Sequence, residues 1–137
     1  YAGRVSGPLR DRIDLWVTMA RVPPAALVAG AEPESSAVVG ARIAAARAVQ
    51  SARSGRLNGR LSGRALRTAC GLEAAALTRA IALADLEALT GRGTERLLRV
   101  ARTIADLAGS ARVETQHLDE AARFRSPAAR LESREVS

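Results

Sequence analysis

Apolar residues return every three to four positions along most of the chain after residue 35, which is the spacing that places them on one face of a helix. A first helix is predicted from a Ser35 or Ser36 cap to about Ser51, with apolar residues at 38, 39, 43, 46 and 49. Further helices are predicted at about 62–71, 72–89, 90–108 and 115–124, with caps at Ser62, Thr90 and Thr115 and stops at Gly71 and Gly109. On three of these helices the residues expected to face the core are Leu66, Ala69, Leu97, Ala101, Ile104, Ala108, Leu118, Ala121 and Ala122. The pattern therefore predicts an all-α bundle of four to five helices over residues 35–125.

The N-terminal segment follows a different pattern. Apolar residues occupy positions 13, 15, 17 and 19 and alternate with Asp14, Trp16 and Thr18, which is the period of a strand. Because a lone strand is not stable, we expect it either to belong to a sheet outside this chain or to pack as an irregular arm. Residues 25–34 predict a linker, and the polar residues 126–137 predict a frayed tail.

Composition constrains the core and the compartment. Apolar residues make up 47% of the 137 residues but aromatics only 2%, so the core must be aliphatic and rich in alanine. No apolar run approaches the ~20 residues of a membrane span, so we expect no membrane partner. The single cysteine, Cys70, excludes an intramolecular disulfide and favours the reducing cytoplasm, and we expect it to be a small buried residue.

All 21 basic residues are arginines, and the net charge is +7. Without lysine there is no Walker A lysine, no Schiff base and no lysine general base. A pI near 11.4 is compatible with an anionic partner such as nucleic acid. However, the arginines alternate with acidic residues on the helices, and pairs such as Glu95–Arg99 and Arg102–Asp106 predict a solvated charged face.

The sequence shows no complete catalytic or metal site. His117 is the only histidine and is expected at the surface, far in sequence from Cys70, so no zinc-binding spacing exists. No glycine-rich phosphate loop appears, and the acidic residues at 85, 87 and 119 are expected to be solvated helix charges.

One arginine directly precedes the predicted strand. At that position the planar guanidinium of Arg12 could be directed at a phosphate. The alternative is a surface ion pair with Asp11 or Asp14.

A second arginine, Arg92, lies between Gly91 and Gly93 in the first turn of the helix capped by Thr90. A cation is unfavourable there because the helix dipole attracts anions, so a carboxylate or a bound phosphate is the expected compensation. The alternatives are that Arg92 is simply solvated or pairs with Glu95.

Three blocks of sequence resemble the magnesium-chelatase-like AAA+ ATPases, in particular their ComM/YifB branch. They are RVSGPL with DRIDL at 4–9 and 11–15, LNGRLSGRALR at 57–67, and LLRVARTIADLAGS at 97–110. Two positions depart from the family pattern: Arg10 replaces a leucine, and Trp16 replaces the usual histidine.

The resemblance implies an all-α lid bundle preceded by a short β-type arm from the AAA+ core. It divides the chain into the end of the core (1–24), a linker (25–34), the lid (35–125) and a tail (126–137). It implies that Arg12 is the arginine finger acting in trans and that Arg92 is the sensor-2 arginine that contacts ATP phosphate.

The same resemblance implies that ATP and Mg²⁺ are held by a core upstream of Tyr1, in a homo-oligomeric ring that is typically hexameric. The ComM branch is associated with DNA, so DNA is a further expected partner. This chain alone is not expected to be catalytic or to bind the cofactors. The alternative function is a basic helical module that binds nucleic acid.

Overall fold

A computed structural model describes residues 13–19, 21–28 and 34–125. These residues form a short helix and five longer ones, and no strand occurs among them. The helices are α1 Pro24–Val28, α2 Ser36–Ser54, α3 Gly63–Cys70, α4 Ala74–Leu86, α5 Gly91–Leu107 and α6 Thr115–Ala122, with a 3-10 turn at Asn58–Arg60. The predicted all-α bundle is confirmed.

Helix α5 is the centre of the bundle. It packs against α2, α3, α4 and α6, and α6 also packs against α4. Its buried apolar face consists of Leu97, Leu98, Ala101 and Ala105. Because α5 contacts the four other helices of the bundle, the position of the helix is fixed from several sides.

The core is built from small aliphatic side chains. Seven of the fifteen buried apolar residues in the described part of the chain are alanines, and none is aromatic. This composition agrees with the alanine-rich core predicted from the sequence. Leu66 and Ala69 on α3, and Leu118 and Ala121 on α6, face inward as predicted.

Most predicted helix ends are confirmed by their caps. Ser35 Oγ accepts from the Val38 N–H at 3.4 Å, and Thr90 Oγ1 accepts from the Gly93 N–H at 3.1 Å. Helix α3 ends at Gly71, whose φ of +56° lies in the left-handed region that glycine adopts without strain.

The predicted cap of the last helix is wrong. Thr115 is the first residue of α6, and Glu114 is its cap. The Glu114 N–H donates to His117 Nδ1 at 3.0 Å, so the pair forms a reciprocal capping box. His117 is buried and is not at the surface as expected, because this bond turns its ring back onto the helix end.

The arm at Ile13–Met19 is irregular and forms no strand, so the strand prediction is wrong and the alternative is correct. A strand needs a neighbouring strand to accept and donate its backbone hydrogen bonds, and no strand lies within the described ranges. The arm is instead joined to the end of α6 by a backbone hydrogen bond from the Trp16 N–H to Phe124 O at 2.7 Å. The predicted linker begins with helix α1. Arg12 and the tail at 126–137 lie outside the described residues.

The predicted apolar faces of α2 and α5 are only partly correct. On α2, Ala46 is buried, but Val38, Ile43 and Val49 are exposed, because α5 is the main neighbour of α2 in the bundle. On α5, Ala108 was expected inside but lies exposed just after the helix end.

Candidate functional site at the start of helix α5

The first turn of α5 presents Arg92 to the solvent. Arg92 is exposed, and a Cβ added to the adjacent Gly91 would meet nothing within 4 Å, so the space in front of the helix start is open. The N–H groups of a first helical turn have no partner within their own helix. An anion approaching this end would therefore meet backbone donors and a guanidinium together.

Arg92 does not pair with Glu95, which was one of the alternatives. Glu95 Oε1 instead accepts from the Gly63 N–H at 2.7 Å, and its other oxygen lies 3.5 Å from Arg99. No carboxylate in the described ranges lies within ion-pair distance of Arg92. Within these ranges, no side chain neutralises its charge, which supports a role in binding an anion.

The other arginines of α5 have partners within the chain. Arg96 Nε lies 2.8 Å from Asp14 Oδ1 on the arm, and Arg99 donates to Leu61 O at 3.1 Å. Arg102 is fully buried. Arg92 thus differs from its three neighbours on the same helix.

The backbone of this first turn is held from the far end of the chain. Arg125 Nη1 donates to Gly93 O at 3.1 Å, and Arg125 Nε lies 3.3 Å from Glu87 Oε2. A Cβ at Gly93 would lie 3.3 Å from Arg125 Nη2, so the glycine permits this close approach. Sequence reasoning missed Arg125, because nothing in the spacing links residue 125 to residue 93.

Arg102 and Asp106 were expected on a solvated face, and this is wrong. Arg102 Nη2 lies 2.9 Å from Asp106 Oδ1, and both side chains have no exposed surface. The Arg102 guanidinium also donates to three backbone carbonyls, those of Ala69, Ser110 and Ala111. The pair is buried because it lies on the inner side of α5, where these carbonyls and further donors supply its hydrogen bonds.

Asp106 joins three parts of the fold. Arg53 on α2 donates to both of its oxygens at 2.6 and 2.9 Å, and Asn58 Nδ2 donates to Oδ2 at 2.8 Å. Asn58 is itself held, because its N–H donates to Gln50 Oε1 at 3.0 Å. We call Arg53, Asn58, Arg102 and Asp106 the buried polar network. Its residues come from two of the three sequence blocks and from α2.

The charges of this network shift its pKa values. Burial alone would raise the pKa of Asp106, but hydrogen bonds from Arg53 and Asn58 and the charge of Arg102 outweigh it and hold the pKa below its ordinary value. The hydrogen bond to Asp106 raises the pKa of Arg53. Both groups are therefore charged at neutral pH.

Burial lowers the reactivity expected of the single cysteine at neutral pH. Burial raises the pKa of the Cys70 thiol to about 11, although Arg102 and Arg53 oppose the shift. The thiolate needed for nucleophilic attack is then scarce. Cys70 is fully buried, which confirms the prediction that it fills the core.

Two further absences apply to the part of the chain that the structure describes. No cluster of three or more His, Cys, Asp or Glu residues there could hold a metal ion. None of the helices in that part has the length and hydropathy needed to cross a membrane.

The fold and the site together define a class: a small helical bundle of the lid type, with a solvent-facing arginine at the start of its central helix. The sequence model of the family described as "Magnesium chelatase, subunit ChlI C-terminal" matches residues 33–125, about two thirds of the chain. The chain belongs to this family.

Two curated relatives match almost the whole chain. The uncharacterised protein YifB of Escherichia coli is 41% identical over 128 residues, and the competence protein ComM of Haemophilus influenzae is 34% identical over 130 residues. Each match covers 92% of this chain but 25% of the relative. The chain therefore spans about a quarter of the length of these relatives.

Proposed function

We propose that this chain is the lid of a magnesium-chelatase-like AAA+ ATPase, in which Arg92 contacts the phosphates of bound ATP. The observation that carries the proposal is the exposed guanidinium at the capped start of the central helix, which has no ion-pair partner among the described residues. A planar fork of donors matches phosphate oxygens, and its positive charge is placed to balance their negative charge. Membership of the magnesium chelatase C-terminal family supports the assignment of the chain as a lid.

ATP and Mg²⁺ belong to the whole protein in this proposal. The chain has no lysine, so the phosphate cradle of a P-loop must come from another segment. Arg92 would hold the phosphate from the lid side, and the rigid α5 would convey its position to the rest of the bundle. The chain alone is then expected to show no ATP hydrolysis. The reducing cytoplasm is the expected compartment, since Cys70 is a free thiol.

The test is Arg92→Ala in the whole ATPase. Loss of a charge-assisted hydrogen bond is expected to weaken ATP binding about 10- to 100-fold. The matched control is Arg64→Ala, since Arg64 is also the exposed second residue of a helix and also follows a glycine. Equal ATP affinity in both variants, measured by calorimetry, would refute the role of Arg92.

Arg12 is proposed as the arginine finger that reaches the nucleotide of the neighbouring subunit in a ring. Its removal is expected to lower turnover by several orders of magnitude while ATP binding is retained. The measurement is steady-state hydrolysis by Arg12→Ala in the assembled ring. Normal turnover would contradict the finger assignment.

A second candidate function is binding to nucleic acid, and one observation favours it. Residues 35–72 contain seven arginines and no acidic residue, so they carry a charge equal to the whole net charge of +7. Arg53 is held by Asp106 and Arg42 by Glu34. The remaining five are exposed: Arg47, Arg56, Arg60, Arg64 and Arg67.

This basic surface makes a measurable prediction for DNA. The binding constant for DNA should fall as the salt concentration rises. If all five arginines contact phosphates, a plot of the logarithm of the binding constant against the logarithm of the salt concentration should have a slope no steeper than about −4.5. Replacing Arg56, Arg60 and Arg67 by glutamine should reduce the slope, whereas Arg79→Gln on α4 should not. No binding at low salt would exclude this function for the chain.

A further inference from the structure

We propose that Asp14, Arg96 and Arg125 are positioning residues that tie the arm at 13–19 to the first turns of α5, so that a movement of the start of α5 is passed to the arm. This inference rests on the proposed function, because that function gives roles to Arg92, on α5, and to Arg12, which precedes the arm in sequence. It concerns how the arm and α5 are connected within one chain.

The first connection is a direct ion pair. Arg96 lies one turn after Arg92 on α5, and its Nε is 2.8 Å from Asp14 Oδ1. The Arg96 side chain is only 13% exposed, so its charge has little access to water and depends on this carboxylate. Asp14 follows Arg12 by two residues, which span at most about 7 Å of extended chain.

The second connection runs through the end of α6. The Trp16 N–H donates to Phe124 O at 2.7 Å, and the adjacent Arg125 donates to Gly93 O at 3.1 Å. Glu87 lies 3.3 Å from Arg125 and balances its charge. The arm is thus linked to residue 93, next to Arg92, by a route that does not use Asp14.

Apolar burial holds only part of the arm. Ile13 and Trp16 are half-buried, whereas Leu15 is 52% exposed and Val17 is 65% exposed. A cavity of about 380 Å³, lined mainly by apolar side chains, lies between the arm and the Val100–Leu107 part of α5. Because Leu15 and Val17 leave much of their surface in water, the position of the arm also depends on the polar links at Asp14 and Trp16.

These links have a functional consequence in a ring. In the proposed function, Arg92 contacts the nucleotide of its own subunit and Arg12 that of the neighbour. A shift of the start of α5 when the phosphate leaves would move both anchors of the arm, which follows Arg12 in the sequence. The connection would make hydrolysis at one site sensitive to the nucleotide at the next.

The first experiment uses the chain itself. Trp16 is its only tryptophan, so the fluorescence of this residue reports arm docking directly. Asp14→Asn and Arg96→Gln are expected to red-shift the emission and to accelerate hydrogen exchange at the Trp16 amide. The double charge reversal D14R with R96D is expected to restore both signals.

The matched control for this experiment is the exposed ion pair between Arg79 and Asp119, which joins α4 to α6 at 2.7 Å. Asp119→Asn should leave Trp16 emission and exchange unchanged. If Asp14→Asn and Arg96→Gln also leave them unchanged, the ion pair does not hold the arm and the inference is wrong.

The second experiment uses the whole ATPase. Arg96→Gln is expected to retain ATP affinity but to lower turnover about 2- to 30-fold, with a Hill coefficient closer to one. Turnover and cooperativity at the wild-type level in this variant would overturn the inference alone, provided that Arg92→Ala weakens ATP binding. Unchanged ATP binding in Arg92→Ala would instead overturn the proposed function.

Discussion

Asp106 accepts hydrogen bonds from three side chains on three parts of the fold. Its carboxylate balances the buried Arg102 and the partly buried Arg53, and it fixes Asn58 in the turn before α3. Removing it would leave a fully buried guanidinium with no counter-charge.

Asp106→Ala is therefore expected to lower the free energy of unfolding by about 3–5 kcal/mol. Denaturant unfolding measured by circular dichroism would test this. Asp119→Ala is the control, since Asp119 belongs to an exposed ion pair and should cost less than about 1 kcal/mol. Similar losses in the two variants would mean that the buried polar network does not stabilise the fold.

The sequence predicts Arg92 and Arg102 with unequal success. Thr90 and the glycines beside Arg92 are local signals, so the position of Arg92 at a helix start could be predicted. The burial of Arg102 could not, because its compensation comes from Arg53, 49 positions away, and from backbone carbonyls of other segments. One feature of the sequence could have predicted that Arg102 is buried: it lies four positions after Leu98 and three before Ala105, on the same face of the helix.

Helix ends show how closely an element follows its local sequence. Helices α4 and α5 end alike: the Leu89 N–H donates to Ala84 O as the Ser110 N–H donates to Ala105 O. The residue in the left-handed conformation is Gly109 after α5 but Ala88, with φ +46°, after α4. Ala88 therefore carries backbone strain two residues before the cap of the Arg92 helix.

Ala88→Gly is expected to raise the free energy of unfolding by about 0.5–1 kcal/mol. Relief of the left-handed strain, about 1–2 kcal/mol, exceeds the extra backbone entropy that glycine loses on folding. Thermal unfolding would show a higher midpoint. The converse change, Gly109→Ala, should lower it, and a lower midpoint for Ala88→Gly would show that residue 88 is not strained.

Local signals also explain which elements were predicted. Caps and glycine stops predicted α3 and α5 within a few residues. The arm was predicted as a strand because alternation is a local property, whereas a strand needs a neighbour to pair with. The apolar stripe of α2 was overestimated for the same reason, since the number of neighbours that cover a helix is set by the whole fold.

At the scale of the whole molecule, acid should destabilise the fold in two separable ways. The folded pKa of Asp106 lies below its unfolded value, so the unfolded chain binds the proton first. The stabilisation from Asp106 is then complete above about pH 4 and is lost as the pH falls through the lowered pKa. Protonation of the other carboxylates leaves the 21 arginines unbalanced, which adds repulsion.

Denaturant unfolding between pH 7 and pH 2, at low and high salt, separates the two effects. Salt screens repulsion between exposed charges and should recover that part of the loss. It should not recover the part due to Asp106, and Asp106→Asn should remove that part of the pH dependence. Complete recovery by salt would mean that repulsion alone causes acid unfolding.

The abundance of alanine inside the bundle limits how its interior can be charted experimentally. Alanine scanning is the usual way to measure how much each core residue contributes to stability. It gives no information at the seven buried positions that are already alanine. Enlargement is informative there: where α5 passes its neighbours at Ala101 and Ala105, a bulkier side chain must force the helices apart, at a cost of about 1–3 kcal/mol. A survey with valine or leucine would thus trace the lines along which the helices touch.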